Sequence, residues 1–513
     1  MKKKLQTALI ILLAGLLTLG CLVQITLAED KYGGKFTLSF NRGAGQFGYP
    51  LNIRHSDSNY AWWGGLQGLV QLSTEELGRW DPCLAESWEL APDKSSYTFH
   101  LRKGVKFHDG TDFNAEAVKW NLEKVMVSAV SLLKKVKSIE IIDDYTVRFN
   151  LSDWDAVVLD DFGNPVCWII SPTAYEKNGG EDWANTNPVG TGPFKIKEYR
   201  RSQYVKYERN NNYWEKGLPY LDAFEVFAIA DPMTAIASLK RGEIIGIRDA
   251  DAITANQLVG QGYEFATVAG GRMGIEFNST DKTSVWSDKR MREALEYAIN
   301  KEEICASLGF GFVQPSYEIM VGIHEVGNPG TSPRKYDPQK ARQLMAEAGY
   351  PKGLKIRCTF SASFKSDHLL ALQSNLAAVG IELEINTVQA NAYVQMSRSP
   401  ASNNDIRYGR NRGGAPLLNQ AISEISSQSM YFVGVKRSEG FDDKVFEASK
   451  TPDLEKQMKF LEEAERIAYE DCMIVPLWTD PSINIHVPEL KDAVWWVGKP
   501  YTHFERAWLE RRD

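Results

Sequence analysis

The chain has 513 residues, 43% hydrophobic and 24% charged, the composition of a soluble globular protein rather than of a disordered or membrane-embedded one. Its net charge of −7 provides no basic stripe for a nucleic-acid backbone. Its length exceeds what one hydrophobic core sustains, so two or three domains are expected.

Lys2, Lys3 and Lys4 precede an uncharged, largely apolar run over residues 5–28, closed by Glu29, Asp30 and Lys31. A basic segment followed by an apolar one is the layout of an export signal, and the run is long enough to serve as an uncleaved anchor. Two cleavage readings compete. Leu17-Thr18-Leu19-Gly20-Cys21 is similar to a bacterial lipobox, which would lipidate Cys21 and make it the new N-terminus; Thr18 and the apolar residues after Cys21 depart from that pattern. Thr26-Leu27-Ala28 offers a small-residue site for ordinary removal. Six cysteines in an exported chain permit disulfides, and lipidation of Cys21 would leave an odd five, hence at least one free thiol.

Residues 35–40 read as a first strand, and residues 41–80 mix Gly, Asn and aromatics, including Trp62 and Trp63. Tyr97, Phe99 and Leu101 alternate with Thr98, His100 and Arg102, the period of a strand buried on one face. Gly104 permits a turn, Val105 and Phe107 begin a second alternation, and Asp109-Gly110 breaks it. Asn114 is placed to cap a helix over 115–127. Residues 139–142 and 147–151, split by Asp143-Asp144, form a predicted hairpin. Gly190-Thr191-Gly192-Pro193 is a turn feeding a strand; no Gly-x-Gly-x-x-Gly follows, so it is not a dinucleotide fingerprint. Strands at 204–209 and 224–229 precede a helix over 232–241 that stops at Gly242.

Beyond residue 280, helix and strand take turns, as in an α/β lobe. Ser287 is placed to cap a helix reaching Asn300, and Asp337-Pro338 opens one ending at Gly349. A strand at 354–360, a helix at 366–378 and a strictly alternating strand at 381–385 follow. Thr451-Pro452 opens a long helix to about residue 469, and 474–478 reads as a buried strand. The last thirty residues, with Trp495, Trp496 and Trp508, are strand-like and expected to return to the first lobe. The chain carries no Cys-x-x-Cys, Gly-x-Ser-x-Gly or His-Glu-x-x-His, so neither a structural zinc site nor a familiar hydrolase constellation is expected.

Several of these segments, in order, resemble one family. They are Leu84 to Glu89, Tyr97 to Gly110, Gly190 to Phe194, Asn211-Asn212-Tyr213-Trp214, Leu239 to Glu243, Phe277 to Thr280, Asp288 to Leu295 and Tyr336 to Ala341. The set resembles the extracellular solute-binding proteins of the oligopeptide, dipeptide and nickel class (family 5), which feed ABC importers, and it covers essentially the whole chain after the export segment. The resemblance implies an α/β fold of the periplasmic-binding-protein type (class II, cluster C), with two hinged lobes and an extra inserted α+β domain. Mapped onto this chain, residues 1–28 are the signal or lipoprotein segment. Lobe I combines 32–75, 186–275 and 485–513, the inserted domain is 76–185, and lobe II is 276–484, with hinge crossings near 270–280 and 480–486. It implies a monomeric, non-enzymatic receptor without cofactor or metal. That receptor sits in the periplasm or at the cell surface, tethered to the outer face of the cytoplasmic membrane. It captures a peptide-like or other polar organic solute and hands it to the permease subunits. The alternatives are an oligosaccharide or anionic-solute receptor of the same fold, or a ligand-sensing lipoprotein.

Peptide binders of this class carry a Trp-rich stretch with an Asp that pairs with the peptide ammonium. Here that stretch is residues 405–416, where Gly414 takes the Asp position, Trp is absent, and Arg407, Arg410 and Arg412 appear. Guanidinium beside an ammonium repels it; guanidinium suits carboxylate, phosphate or sugar hydroxyls. Trp62, Trp63, Tyr408, Arg410, Asn411 and Arg412 are therefore the candidate ligand residues, weighed against plain core packing for the two Trp and a solvated loop for the Arg residues. His100 and His108 lie where the family has such residues without metal, so nickel binding is not expected.

Overall fold

In the computed structural model, the described residues are 31–41, 48–52, 64–73, 79–128, 132–268, 271–320, 332–362, 364, 367–402, 404–412, 416–495 and 504–511. Cys21 and both readings of the export segment lie outside them. Two large sheets dominate. The first has seven strands in the order Glu264–Val268, Ser482–His486, Gly246–Ala250, Lys35–Phe40, Ala223–Ala228, Tyr204–Arg209, Phe194–Arg200. The second has five: Ile381–Val388, Leu354–Ser361, Ile406–Arg412, Gly271–Phe277, Val475–Thr479. In the second sheet the first three strands run parallel, and Gly271–Phe277 is antiparallel to both of its neighbours. These are the sheets of a two-lobed α/β binding-protein fold.

A third, wholly antiparallel sheet follows the order Ala85–Leu90, Ser96–Leu101, Thr146–Leu151, Val136–Asp143. Its inward faces carry the expected alternation: Phe99 opposes Val147 across the ladder and Tyr97 opposes Phe149, all buried. The Phe99, Phe149 and Phe162 rings meet edge to face at 4.6–5.5 Å. Helix Ala115–Met126 is capped as predicted, with Asn114 Oδ1 accepting the Ala117 amide at 3.0 Å. One hydrophobic cluster runs without a break from Phe36 and Leu38 of the first sheet to Phe99 and Phe149 of this one. The four-stranded unit is thus fused to the first lobe through a shared core.

Several local expectations shift. The helix expected from Ser287 to Asn300 is shorter, Lys289–Tyr297, and is capped by Asp288, whose carboxylate accepts the Arg290 amide, while the Ser287 hydroxyl donates to the Ser284 carbonyl; a separate helix, Lys301–Gly309, follows. The long C-terminal helix is Leu454–Glu470, capped by Asp453 rather than opened at Thr451. Val105 and Phe107 are buried, but the second alternation forms only an isolated bridge between Lys106 and Asp112. The C-terminal segment does return to the first sheet: Phe504 packs 4.6 Å from Phe36, and Trp495 joins the same cluster. The five described cysteines are all buried and free, and burial raises the thiols of Cys83, Cys305, Cys358 and Cys472 to about 12. Among the described residues no helix is long and apolar enough to cross a membrane.

Helix Val157–Gly163 concentrates acid. Burial, with help from Asp161 and Asp155, pushes the Asp160 carboxyl up to about 8, against the lowering effect of the Trp80 indole N–H that donates to it at 2.7 Å. The unfolded chain releases this proton near 3.8, so between about pH 4 and 8 the folded state holds a proton that the unfolded state lacks. Stability from this group is therefore full below pH 4 and declines as the pH rises towards 8. Asp160→Asn keeps an acceptor for Trp80 and removes the titration. Urea unfolding at pH 5 and pH 8 is expected to show the variant stabilised at pH 8 by on the order of 2 kcal/mol, with a flatter pH profile.

Candidate functional site

The chain passes between the two large sheets twice, side by side. Strand Glu264–Val268 of the first sheet leads to Gly271–Phe277 of the second, and Val475–Thr479 returns to Ser482–His486 of the first. The passages are tied together where the Asp480 amide donates to the Gly271 carbonyl at 2.9 Å. Strand pairing changes sheet between Val268 and Gly271 and again between Thr479 and Ser482. Two adjacent short crossings form a hinge, because a few residues absorb the backbone rotation while each sheet stays intact.

Ligands of open α/β sheets bind beyond the carboxyl ends of the parallel strands. In the second sheet those ends are Ser361, Val388 and Arg412, and Arg412 pairs with Gly271 at the hinge. Arg410 and Asn411 pair with Met273 and Arg272 on the same ladder. The backbone of residues 410–412 therefore ends at the edge facing the first lobe; their side chains, and all of residues 413–415, lie outside the description. Tyr408 is placed differently. It is 2% exposed, its ring centroid lies 6.0 Å from that of Trp478, and its carbonyl accepts the Tyr393 hydroxyl at 3.1 Å. Its ring is part of the second lobe's core, because the residue's parity on the strand turns it towards Ile275 and Trp478, away from the polar face.

That polar face is the feature the sequence reading missed. Arg272, Gly274 and Glu276 lie along one side of Gly271–Phe277, opposite Asn411, Gly409 and Arg407. Gly274 and Gly409 leave room for their neighbours: a Cβ on Gly274 would stand 3.1 Å from Arg272 Nη1, and one on Gly409 would stand 2.7 Å from the Tyr393 hydroxyl. Arg272 is 1% exposed, and its Nε and Nη1 have no hydrogen-bond partner among the described residues. Burial pulls its guanidinium down to about 10, opposed by Glu465, Glu318, Glu424 and Glu296, so it keeps its charge at neutral pH. Glu465, raised to about 7 by burial, accepts the Ile319 and Met320 amides at 2.5 and 2.7 Å. Burial also raises Glu276 to about 7, with Arg407 and Arg437 acting against it. The sequence signal for this face was an Arg set among glycines at the crossing, Gly270-Gly271-Arg272-Met273-Gly274.

On the first-lobe side, Trp62 and Trp63 lie outside the described residues, but the segment that follows them is tightly fixed. Gln67 Oε1 accepts from Thr191 Oγ1 and Trp214 Nε1, both at 2.9 Å, and Gln67 Nε2 donates to the Tyr213 hydroxyl at 3.0 Å. The Gly-Thr-Gly-Pro turn is needed for this approach: a Cβ on Gly190 or Gly192 would stand 2.3–2.4 Å from the carbonyl oxygens of Gly65 and Gly64. His108 serves the same strap. One ring nitrogen sits 3.0 Å from the Gly192 carbonyl oxygen, and burial lowers its pKa to about 4, so it is neutral. Among the described residues, no group of three His, Cys, Asp or Glu side chains is arranged to hold a metal ion.

Comparison with known proteins agrees with this architecture. Residues 79–433 match the bacterial extracellular solute-binding proteins, family 5. The glutathione-binding protein GsiB of Shigella flexneri is 30% identical over 470 residues, covering 86% of this chain and 88% of the relative; GsiB of Escherichia coli K12 matches to the same extent. Among solved structures, the periplasmic binding protein DppA of Helicobacter pylori, in complex with the peptide STSA, superposes with a TM-score of 0.74 at 25% identity, over 95% of this chain and 100% of that one. NikA of Brucella suis, in complex with Fe(III)-EDTA, gives 0.79 at 23% identity over 93% of this chain and 100% of that one, a likeness of fold.

Proposed function

The chain belongs to the family 5 bacterial extracellular solute-binding proteins, and from that premise we propose that it captures a carboxylate-bearing, peptide-like or other polar organic solute between its lobes for an ABC permease. The observation that carries the ligand class is the strand Ile406–Arg412. It delivers Arg410, Asn411 and Arg412 to the carboxyl edge of the second sheet, beside the hinge, in a stretch with neither Trp nor an Asp at the ammonium position. Two guanidinium groups there bind carboxylates and repel an ammonium. Trp62 and Trp63 supply stacking surface from the first lobe, while Tyr408 and the Gly-Thr-Gly-Pro strap hold the two walls in place. Glutathione, the ligand named for the Shigella and Escherichia relatives, suits this chemistry because its two carboxylates outnumber its one ammonium.

Bound solute contacts both walls only when the lobes are closed, so it shifts the population to the closed form, and that form engages the permease. Release belongs to the transporter, and the receptor needs no chemistry of its own. The protein acts outside the cytoplasmic membrane as a monomer, tethered through a lipid on Cys21; intact mass of the exported chain distinguishes that start from one following Ala28. An organic acid lacking any amino group is the second reading, favoured by the same arginines.

A thermal-shift screen of the exported chain against glutathione, dipeptides and tripeptides, oligosaccharides, and dicarboxylic and tricarboxylic acids tests the reading. A carboxylate-rich solute at a thousand times its Kd should stabilise the protein by about 4 kcal/mol. Preferential stabilisation by simple dipeptides with free amino termini, or by neutral oligosaccharides, would overturn the assignment of residues 410–412.

A further inference from the structure

The four-stranded unit reaches across to the second lobe at a place away from the hinge. The Ala156 amide donates to the Ser449 carbonyl at 2.7 Å, and Lys94 Nζ donates to the Lys450 carbonyl at 3.0 Å. Ala156 and Val157 pack against the second lobe's cluster of Leu417, Leu418, Phe441 and Val445. Ser449 ends helix Phe441–Ser449 and Lys450 is its cap. The last carbonyls of a helix have no partner within it. Here the Ala448 carbonyl takes the Thr451 amide, and the next two are satisfied from the other side of the molecule. An ammonium at that end also complements the helix dipole.

Lys94 is held for this contact. It sits in the turn between strands Ala85–Leu90 and Ser96–Leu101 with φ 59°, a left-handed conformation unusual for a residue with a side chain. Its ammonium lies 4.3 Å over the ring of Trp154, which is buried and donates its indole N–H to the Tyr97 hydroxyl at 3.2 Å. The unit that carries Lys94 and Ala156 shares one continuous core with the first lobe, so a bond from it to helix Phe441–Ser449 is a bond between lobes.

We propose that Lys94 and the Ala156 amide form a ligand-independent latch that grips the C-terminal end of helix Phe441–Ser449, and that the arrangement in which these two bonds are made is the closed one. The latch sets the open-to-closed ratio before any solute arrives. Removing it weakens every ligand by one common factor, because apparent affinity scales with the closed fraction and not with the chemistry of the cleft.

The test is single-molecule energy transfer in the ligand-free exported chain, with dyes at Lys137→Cys on the four-stranded sheet and Lys459→Cys on helix Leu454–Glu470, both exposed positions. Lys94→Ala removes the donor. Ala156→Pro removes the amide while its φ of −66° suits proline. Each is expected to raise the open-to-closed ratio about five- to tenfold, the worth of one ordinary hydrogen bond, and Lys94→Arg should restore the wild-type distribution. An unchanged distribution in either deletion variant, or an arginine variant that fails to restore it, overturns the latch. Far-UV circular dichroism and melting of each variant separate loss of the latch from loss of fold.

Discussion

Replacing Glu296 with alanine is expected to destabilise the second lobe by about 3–5 kcal/mol, the cost of leaving the buried Lys301 ammonium without its carboxylate while Arg334 keeps only the Glu293 carboxylate among the described residues. Glu296 is 0% exposed, on helix Lys289–Tyr297. Its Oε1 accepts from Lys301 Nζ at 2.8 Å and its Oε2 from Arg334 Nη1 at 3.0 Å. Lys301 also donates to the Ser316 carbonyl and lies 4.3 Å over the Tyr317 ring. Arg334 donates through Nη2 to the Tyr469 and Glu470 carbonyls at 2.7 and 2.9 Å. One carboxylate therefore ties two helices to the segments at 316–317 and 469–470. Burial already pulls the Lys301 ammonium below its ordinary range, with Glu296 as the main opposing influence. Without Glu296, Lys301 must lose its proton or draw in water. Urea denaturation should show the midpoint falling in Glu296→Ala, with a smaller loss in Glu296→Gln, which keeps an acceptor. A loss under about 1 kcal/mol in the alanine variant would show that Lys301 and Arg334 find other partners.

The second large effect falls on capture. Arg410→Gln combined with Arg412→Gln is expected to weaken binding of glutathione or a tricarboxylic acid by about a hundredfold or more, since each charge-assisted hydrogen bond to a carboxylate is worth about 1.5–3 kcal/mol. The ligand-free melting temperature should hold, because the two residues end a strand whose buried anchors are Ile406 and Tyr408. Calorimetric titration of the double variant checks this. Unchanged affinity for both probes would assign residues 410–412 to a solvated edge and leave the anionic group to another wall of the cleft.

Local chemistry was legible in the sequence. Asn114 and Asp337 cap the helices they were expected to cap, and Gly242, Gly349 and Gly380 take the positive φ that ends a helix. Pairing over long range was not. Strand Ser482–His486 inserts between Gly246–Ala250 and Glu264–Val268, more than two hundred residues away, and no local signal marks it as the join. Strand Gly271–Phe277 has a neighbour on each side in its sheet and is buried throughout, yet its two glycines, Arg272 and Glu276 disguise it. A polar residue in a strand reads as solvent-facing unless another layer covers it, and the cover here includes Glu465 on helix Leu454–Glu470. For the same reason Tyr408, in the stretch at 405–416, reads in the sequence as a ligand residue although its ring is buried. Its neighbours Trp478 and Tyr393 come from other parts of the chain.

The central claim is that a carboxylate-bearing solute is held between the lobes at the carboxyl edge of the second sheet. A crystal structure of the exported chain with the solute that stabilises it most tests that claim directly. The expected result is solute density enclosed by both lobes, with a carboxylate on Arg410 or Arg412 and an aromatic face from Trp62 or Trp63 against it. Density outside the interlobe cleft, or an ammonium lying where those guanidinium groups converge, would contradict it.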